Sequence, residues 1–496
     1  MTKYVNLNKN IYLIRVLNII NIFCLTESLV KRIDMESNKT LIKIIESWGL
    51  THNPINSTEE ILEWIRKRNT DVKVRISKIP FEDSGYWYYD ENENGIINKD
   101  KAFFQIKGLI KKSDVIEEAQ PIIIQNEIGY LGIIAKEIDG VIYFLMQAKI
   151  EPGNVNKIQI SPTIQATKSN FMQSHGGKVP AYLEYFSFKK DYHIIVDQIQ
   201  SEHSSFFLGK RNRNIIILID DDIEVLESHK WMTLGQIKQL MSYDNLVNMD
   251  TRTVLACIPF ALRNYTCEEL RDLKSLFTEE SFFNSIFLGD SGSSINKIYQ
   301  YINEIKMHDK STIDIVDLYS LPGWKMVNNE FVNPNGEFKV IYCDIEIAGR
   351  EVNQWKQPLF ETIGESLFGL IFCIENGVMK FLIQTVSEVG CFDKVEIGPS
   401  VQLRPNDKRN KNAVTILFNK KIQSGEGVLF SGLFSEEGGR FYHAQNRNVV
   451  IKIEKDEIPI LPQGFFWADF HTLNILVQFN NCLNIQLRNL LSILKL

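Results

Sequence analysis

The chain has 496 residues, 44% hydrophobic and 23% charged, enough to bury two full cores. A net charge of −6 and a pI near 5.9 argue against a nucleic-acid binder, which carries a basic footprint. Its seven cysteines are scattered without a CxxC pair, which argues against a disulfide scaffold or zinc site and predicts reduced thiols in a cytoplasmic protein.

In chain order, Ile11 to Leu25 is apolar but is interrupted by Arg15, Asn18 and Asn21. It is too short and too polar to span a membrane, and it lacks a small-residue cleavage site. Met35 opens a polar, helix-compatible run, so residues 1–34 are expected to be an extension. Ser57 followed by Thr58, Glu59 and Glu60 predicts a capped amphipathic helix with Ile61, Trp64 and Ile65 on one face. Strands are expected at Tyr130–Ala135 and Val141–Gln147, joined by Asp139-Gly140, a strong hairpin signal.

The next stretch, Gln147 to Thr167, reads QAKIEPGNVNKIQISPTIQAT. Ile158, Ile160, Pro162, Ile164 and Ala166 alternate with Gln159, Ser161, Thr163, Gln165 and Thr167, the pattern of a strand with one buried face. The other face is either solvated or, being amides and hydroxyls that donate and accept, suited to a neutral polyhydroxy ligand. Pro162 removes a ladder donor, so the strand is expected at an edge or bulged there. SEHSSFFLGKRNRNIIIL follows from Ser201, containing Asn212-Arg213-Asn214. A helix capped at Thr233 and another over about Asp250 to Leu262 close this part, and residues 264–292 read as a linker.

Then the pattern repeats. QTVSEVGCFDKVEIGPSVQLR, Gln384 to Arg404, lies 237 positions after the first stretch with no gap. Gln384, Glu388, Gly390, Lys394, Ile397, Pro399 and Gln402 fall on Gln147, Glu151, Gly153, Lys157, Ile160, Pro162 and Gln165. The register reaches back to Gln120-Pro121 and Gln357-Pro358, and about fifteen of fifty paired positions are identical. Asn376-Gly377 repeats the hairpin, Asn446-Arg447-Asn448 repeats the second signature, and a helix over Asn484–Leu494 ends the chain. The expectation is two α+β lobes, residues 35–263 and 293–496, each a mixed sheet with flanking helices.

There is no GxGxxG after a strand, no Walker A sequence, no HExxH, no GxSxG and no histidine cluster. Neither a cofactor nor a metal is therefore expected. What is present is duplicated polar chemistry. Glu151 and Glu388, each just before a glycine turn, are pocket carboxylates or turn caps. Arg211, Arg213, Arg440 and Arg447 clamp a diphosphate or form ion pairs, and Trp355 stacks on a base or fills the core. The copies differ at Arg440, Tyr442 and His443, which fall on Phe206, Leu208 and Gly209, and at Glu396, which falls on Gln159. On that divergence the second lobe is expected to catalyse and the first to bind.

EPGN…QxSPTxQATxSN, QWxQPL and SEEGGRFYHxxNR together resemble the NDP-hexose 2,3-dehydratases, from about Trp48 to the C-terminus. The quoted motifs add Asn170, Gln357 and Asn446 to the substrate-binding candidates, and the duplicated stretch adds Gln147, Gln384, Glu396, Ser400 and Gln402. The resemblance implies two lobes similar to the Nudix hydrolase fold, a homodimer, and a dTDP-sugar substrate. It implies loss of water across C2 and C3 of dTDP-4-keto-6-deoxyglucose, with no cofactor. For that elimination Arg440 is expected to take phosphate or enolate charge, Tyr442 or His443 to be acid or base, and Glu388 to be the other partner. A ketoreductase or aminotransferase is then expected to consume the labile product. Departures are Glu388-Val389-Gly390 in place of EPG in the second copy and residues 1–34, which have no family counterpart; the Nudix likeness is of fold only, since the Nudix box of carboxylates that makes the magnesium site of that fold's hydrolases is missing. A non-catalytic nucleotide-sugar binder and a Nudix-type hydrolase are the rival classes, and UDP in place of dTDP stays open.

Overall fold

The computed structural model describes residues 39–52, 55–101, 103–113, 117–168, 179–187, 190–261, 265–289, 292–349, 352–405 and 412–496. Residues 1–34 and Asn170 lie outside them. Helices α1 (39–49) and α2 (Thr58–Asp71) come first. Ser57 caps α2 as predicted, its hydroxyl accepting from Glu60 N at 3.1 Å. The first copy continues through β1 (Val74–Ile79), β2 (Trp87–Asp90), β3 (Gly95–Asn98), β4 (Gln105–Lys112), β5 (Glu117–Ile124), β6 (Gly129–Ile138) and β7 (Val141–Ile150). Then come β8 (Ile158–Ser161), β9 (Ile164–Ala166), β10 (His193–Ser201), β11 (Arg211–Ile219), β12 (His229–Met232), α3 (Leu234–Leu240) and α4 (Met249–Ala256). Helix α4 stops before the expected Leu262, because Pro259 cannot continue it.

The expected linker is folded. It holds α5 (Cys267–Lys274), whose cap Thr266 makes a capping box with Glu269, and α6 (Glu280–Phe287), which buries Phe282, Phe283 and Ile286. The second copy begins with α7 (Gly292–His308), β13 (Thr312–Val316), β14 (Lys325–Val327), β15 (Glu330–Val332), β16 (Phe338–Ile347), β17 (Gln354–Thr362), β18 (Ser366–Glu375) and β19 (Val378–Val386). It ends with β20 (Glu396–Pro399), β21 (Val401–Leu403), α8 (Ala413–Ser424), β22 (Val428–Ser435), β23 (Phe441–Tyr442), β24 (Gln445–Lys452), β25 (Phe465–Asp469), α9 (Phe470–Leu476) and α10 (Ile485–Ser492).

The duplication is visible in the sheets. One has the order β10-β11-β6-β7-β12 and the other β22-β24-β18-β19-β25, each with a parallel pair, β11 beside β6 and β24 beside β18. The alternating strand breaks at its proline in both copies. Before Pro162, β8 pairs with β7; after it, β9 pairs with β6. In the same way β20 pairs with β19 and β21 with β18. At the break a hydroxyl replaces the missing ladder bonds. Thr163 Oγ1 accepts from Ile134 N at 2.9 Å and donates to Leu145 O; Ser400 Oγ accepts from Ile371 N at 2.8 Å and donates to Leu382 O.

Two further sheets join the copies by exchange. Strand β1 pairs with β16 of the second copy, and its counterpart β13 pairs with β4 of the first. One hydrophobic core runs through both, from Phe144, Ile160 and Val254 to Phe381, Ile397 and Leu487. The architecture is α+β. Among the described residues no helix is long and apolar enough to cross a membrane.

Candidate active site

Strand β7 ends in the turn Glu151-Pro152-Gly153. Glu151 is buried, accepts from Gln165 Nε2 at 2.9 Å and lies 3.6 Å from Lys149 Nζ. Gln165 is itself held at 3.2 Å by Asn248, the N-cap of α4. Helix cap, strand face and carboxylate thus form one chain of bonds. The second copy repeats it, Asn484 donating to Gln402 at 2.9 Å and Gln402 to Glu388 at 2.7 Å.

The loops before the two Asn-Arg-Asn signatures cross over. Gly153 N donates to Gly438 O at 2.7 Å, and His443 N to Gly153 O at 2.8 Å. In mirror fashion Gly390 N donates to Ser204 O and Gly209 N to Gly390 O, both at 2.8 Å. Only glycine permits this approach, since a Cβ on Gly153 would lie 1.5 Å from Phe441 O and one on Gly390 1.9 Å from Phe207 O. Buried arginines hold the loop starts. Arg488 on α10 donates to Ser201 O, and Arg252 on α4 reaches Ser435 O at 3.5 Å.

The crossing brings Glu437, Gly439 and Arg440 into a cavity of about 500 Å3 against the first copy's turn. Tyr86, Trp87, Phe103 and Trp355 make its aromatic wall; Lys149, Glu151, Lys210, Asp250, Glu437 and Arg440 make its charged end. Arg440 is buried, lies 4.3 Å from the rings of Phe103 and Phe104, and donates to Gln125 Oε1 at 3.1 Å. Its Nε has no acceptor among the described residues. Burial, then Glu202 and Glu437, hold Asp250 well above the ordinary carboxyl range. Burial also raises Glu437, against the pull of Arg440, and lowers Lys210. Carboxyls with mixed protonation beside fixed cations can give and take protons while holding an anion.

Of the residues expected from sequence, Glu151, Gln165, Thr167, Trp355, Gln357 and Arg440 line this cavity. Others are engaged in the protein itself. Thr163 and Ser400 splint the broken strands. Gln147 accepts from Ser161 at 3.3 Å, Gln159 donates to Asn156 at 3.4 Å, and Gln384 donates to Pro399 O at 3.0 Å. Arg211 stacks on Phe392 at 3.8 Å, Arg213 pairs with Asp197 at 2.6 Å, and Arg447 reaches Glu365 at 3.5 Å near the surface. Asn446 fastens Glu436. Glu396 accepts from Ser204 at 3.3 Å, and burial pushes it up to about 7. Glu388 accepts from Ser205 and Gln402 in the second copy. Tyr442 and His443 stack on each other at 4.1 Å with Lys78 beside Tyr442, and neither lines the cavity.

The crossing separates Glu388 from Arg440, because the second copy's loop serves the first copy's turn. Lys149, Lys210, Asp250 and Glu437 escaped the sequence reading, although the comparison of copies contained them. They correspond to Val386, Ala444, Gln486 and His203, so the first turn is the one surrounded by extra ionisable groups.

The comparisons agree with this doubled plan. A family model described as NDP-hexose 2,3-dehydratase matches residues 58–258 and again 295–494. A protein of Saccharopolyspora spinosa named dTDP-4-dehydro-6-deoxy-alpha-D-glucopyranose 2,3-dehydratase is 35% identical over 463 residues, 92% of this chain and 95% of that protein. Proteins of the same name from Amycolatopsis orientalis and Streptomyces violaceoruber are each 33% identical, over 88% of this chain and 89% and 97% of their own lengths. With both copies matched and the identity sustained over nearly the whole length, the chain belongs to the NDP-hexose 2,3-dehydratase family.

Proposed function

We propose that the chain removes water across C2 and C3 of dTDP-4-keto-6-deoxyglucose in the cavity at the first copy's turn. The observation that carries this reading is the gathering of Glu151, Asp250 and Glu437 with Lys149, Lys210 and Arg440 in a cavity of ligand size. The relatives named above act on that sugar by their names. Glu151 takes the C3 proton, which the C4 ketone acidifies, and its electron pair forms the C4 enolate. Arg440 and Lys210 hold the enolate or the diphosphate. Glu437 protonates the C2 hydroxyl, which leaves as water, and the enol product tautomerises to the 3,4-diketo-2,6-dideoxy sugar. Tyr86, Trp87 and Trp355 offer faces for the base.

The finer expectations belong to the same proposal. Each half, 35–263 and 293–496 with 264–292 between, is a Nudix-like lobe, a reading supported by its mixed sheet and by the doubled family match. The chain works as a cytoplasmic homodimer without a cofactor, and a ketoreductase or aminotransferase takes its product. Turnover in D2O with chemical trapping tests the reaction. Deuterium at C2 of the trapped sugar is expected. Release of a sugar phosphate would establish a hydrolase instead, and return of unlabelled substrate a binding protein.

A further inference from the structure

Helix α4 delivers one more carboxyl to the site. Its cap Asn248 donates to Gln165, and Gln165 donates to Glu151, so the first turn of α4 is tied to the base. Asp250 sits in that turn and lines the charged end of the cavity. It is only 2% exposed, and among the described residues no hydrogen bond or ion pair engages its carboxyl. Arg252, two positions on, sends its donors to Val247 O at 3.1 Å and Ser435 O at 3.5 Å instead. The second copy fills the same position differently. Gln486 on α10 places its Nε2 3.4 Å from His203 Nε2, inside the protein. The counterpart of His203 is Glu437, so no imidazole waits for Asp250, and its carboxyl is left for a ligand.

A carboxyl in this place is a donor. Facing it are Glu202 from the loop after β10, Glu437 from the loop before β23 and Glu151 after β7, against Lys149 on β7 and Arg252 on its own helix. Burial acts first and the three carboxyls next, and together they keep the proton on Asp250 well above the ordinary carboxyl range. The first turn of a helix favours the charged form, as the two cations do, without offsetting the burial. The elimination has one place for such a group. Glu151 gains a proton and Glu437 loses one as the reaction proceeds, whereas the C4 oxygen needs a donor that keeps its proton while negative charge arrives.

We propose that Asp250 is a further catalytic residue, whose carboxyl O–H donates a hydrogen bond to the C4 oxygen of the sugar and holds the enolate that forms there. This rests on the dehydratase reading above. As the C3–H bond breaks towards Glu151, its electron pair forms the C3–C4 double bond and the carbonyl pair moves onto the C4 oxygen. The Asp250 proton stays on Asp250 throughout. When the C2–O bond breaks and Glu437 protonates the departing oxygen, the pair on the C4 oxygen restores the ketone and the C3–C4 pair becomes the C2–C3 double bond.

Two substitutions test the proposal. Asp250→Leu keeps the bulk and removes the donor, and it is expected to lower kcat by about 10²-fold or more with KM little changed, the scale of a lost oxyanion donor. Asp250→Asn keeps a neutral donor and is expected to retain most of the wild-type kcat. An Asn variant as poor as the Leu variant would mean that Asp250 works as an anion and would overturn the proposal, as would a Leu variant that turns over like wild type. A second measurement needs no turnover. The sugar nucleotide, labelled with carbon-13 at C4, is bound to Glu151→Gln, which lacks the base. Its C4 resonance is expected to move downfield on binding and to return towards the free position in Glu151→Gln/Asp250→Leu. A resonance that the second substitution leaves in place would overturn the contact with C4. A downfield shift that depends on Asp250, in a protein whose wild type never forms the dehydrated sugar, would overturn only the reaction reading.

Discussion

Glu151 and Glu388 occupy one position of the duplicated stretch, and each accepts from its own glutamine, Gln165 at 2.9 Å and Gln402 at 2.7 Å. Their neighbours separate them. Glu151 has Lys149 at 3.6 Å and shares a cavity with Asp250, Lys210 and Arg440. At the matching places Glu388 has Val386, Gln486, Ala444 and Phe206, and the last of these packs on Phe338, Phe360 and Phe441. Arg440 is thus a cation where its counterpart is an aromatic plug. Glu151→Gln should lower kcat by about 10²-fold or more, the scale of a lost acid–base group, while Glu388→Gln should stay within a few-fold of wild type. Steady-state kinetics on the pair decide it, and the reverse ranking would move the chemistry to the second copy.

At the scale of the element, the alternating strand shows how much the sequence reveals and where it misleads. The proline break, both hairpins and the caps at Ser57 and Thr233 follow from local rules and are present, whereas the alternating strand is buried on both faces over Ile158–Ser161 and Glu396–Pro399. The polar face was legible as a pattern but not as a task. Gln165 and Thr167 do face the cavity, whereas Thr163 and Ser400 stand in for ladder bonds that the prolines interrupt. Nothing in a hydroxyl's identity distinguishes binding a sugar from bridging two strands; only the partners on β6 and β7 decide. Thr163→Val keeps the shape and removes the bridge, leaving Ile134 N and Leu145 O without their side-chain partner. Denaturant titration should show a loss of about 1–3 kcal/mol, with KM little changed in the surviving folded protein. A large rise in KM at unchanged stability would return Thr163 to the ligand. The helices α5 and α6 were missed for a different reason. Their stretch lies outside the repeat, so the capping box at Thr266 had no duplicate to draw attention to it.

Across the whole molecule, the duplication does not produce two independent bodies. Strand β1 completes the second copy's sheet and β13 the first copy's, the loops cross at Gly153 and Gly390, and one core runs through both copies. A repeat in sequence fixes that two units look alike; it does not say whether each unit pairs with itself or with its twin, because both pairings satisfy the same local pattern. The exchange has a consequence for activity. Gly390 belongs to the second copy and does not line the cavity, yet the loop it receives runs from Glu202 to Lys210, and Lys210 lines the cavity at the first copy's turn. A Cβ at Gly390 would lie 1.9 Å from Phe207 O, a backbone atom that a side-chain rotation cannot move away. Gly390→Ala should therefore cost about 3 kcal/mol or more, at or beyond the upper end for overpacking, and should lower turnover in the folded protein by displacing that loop. Because the core is shared, far-ultraviolet circular dichroism and tryptophan fluorescence should report one coincident unfolding transition in wild type and variant alike. Two transitions, with Gly390→Ala shifting only one and leaving kcat untouched, would show that the copies fold and act apart.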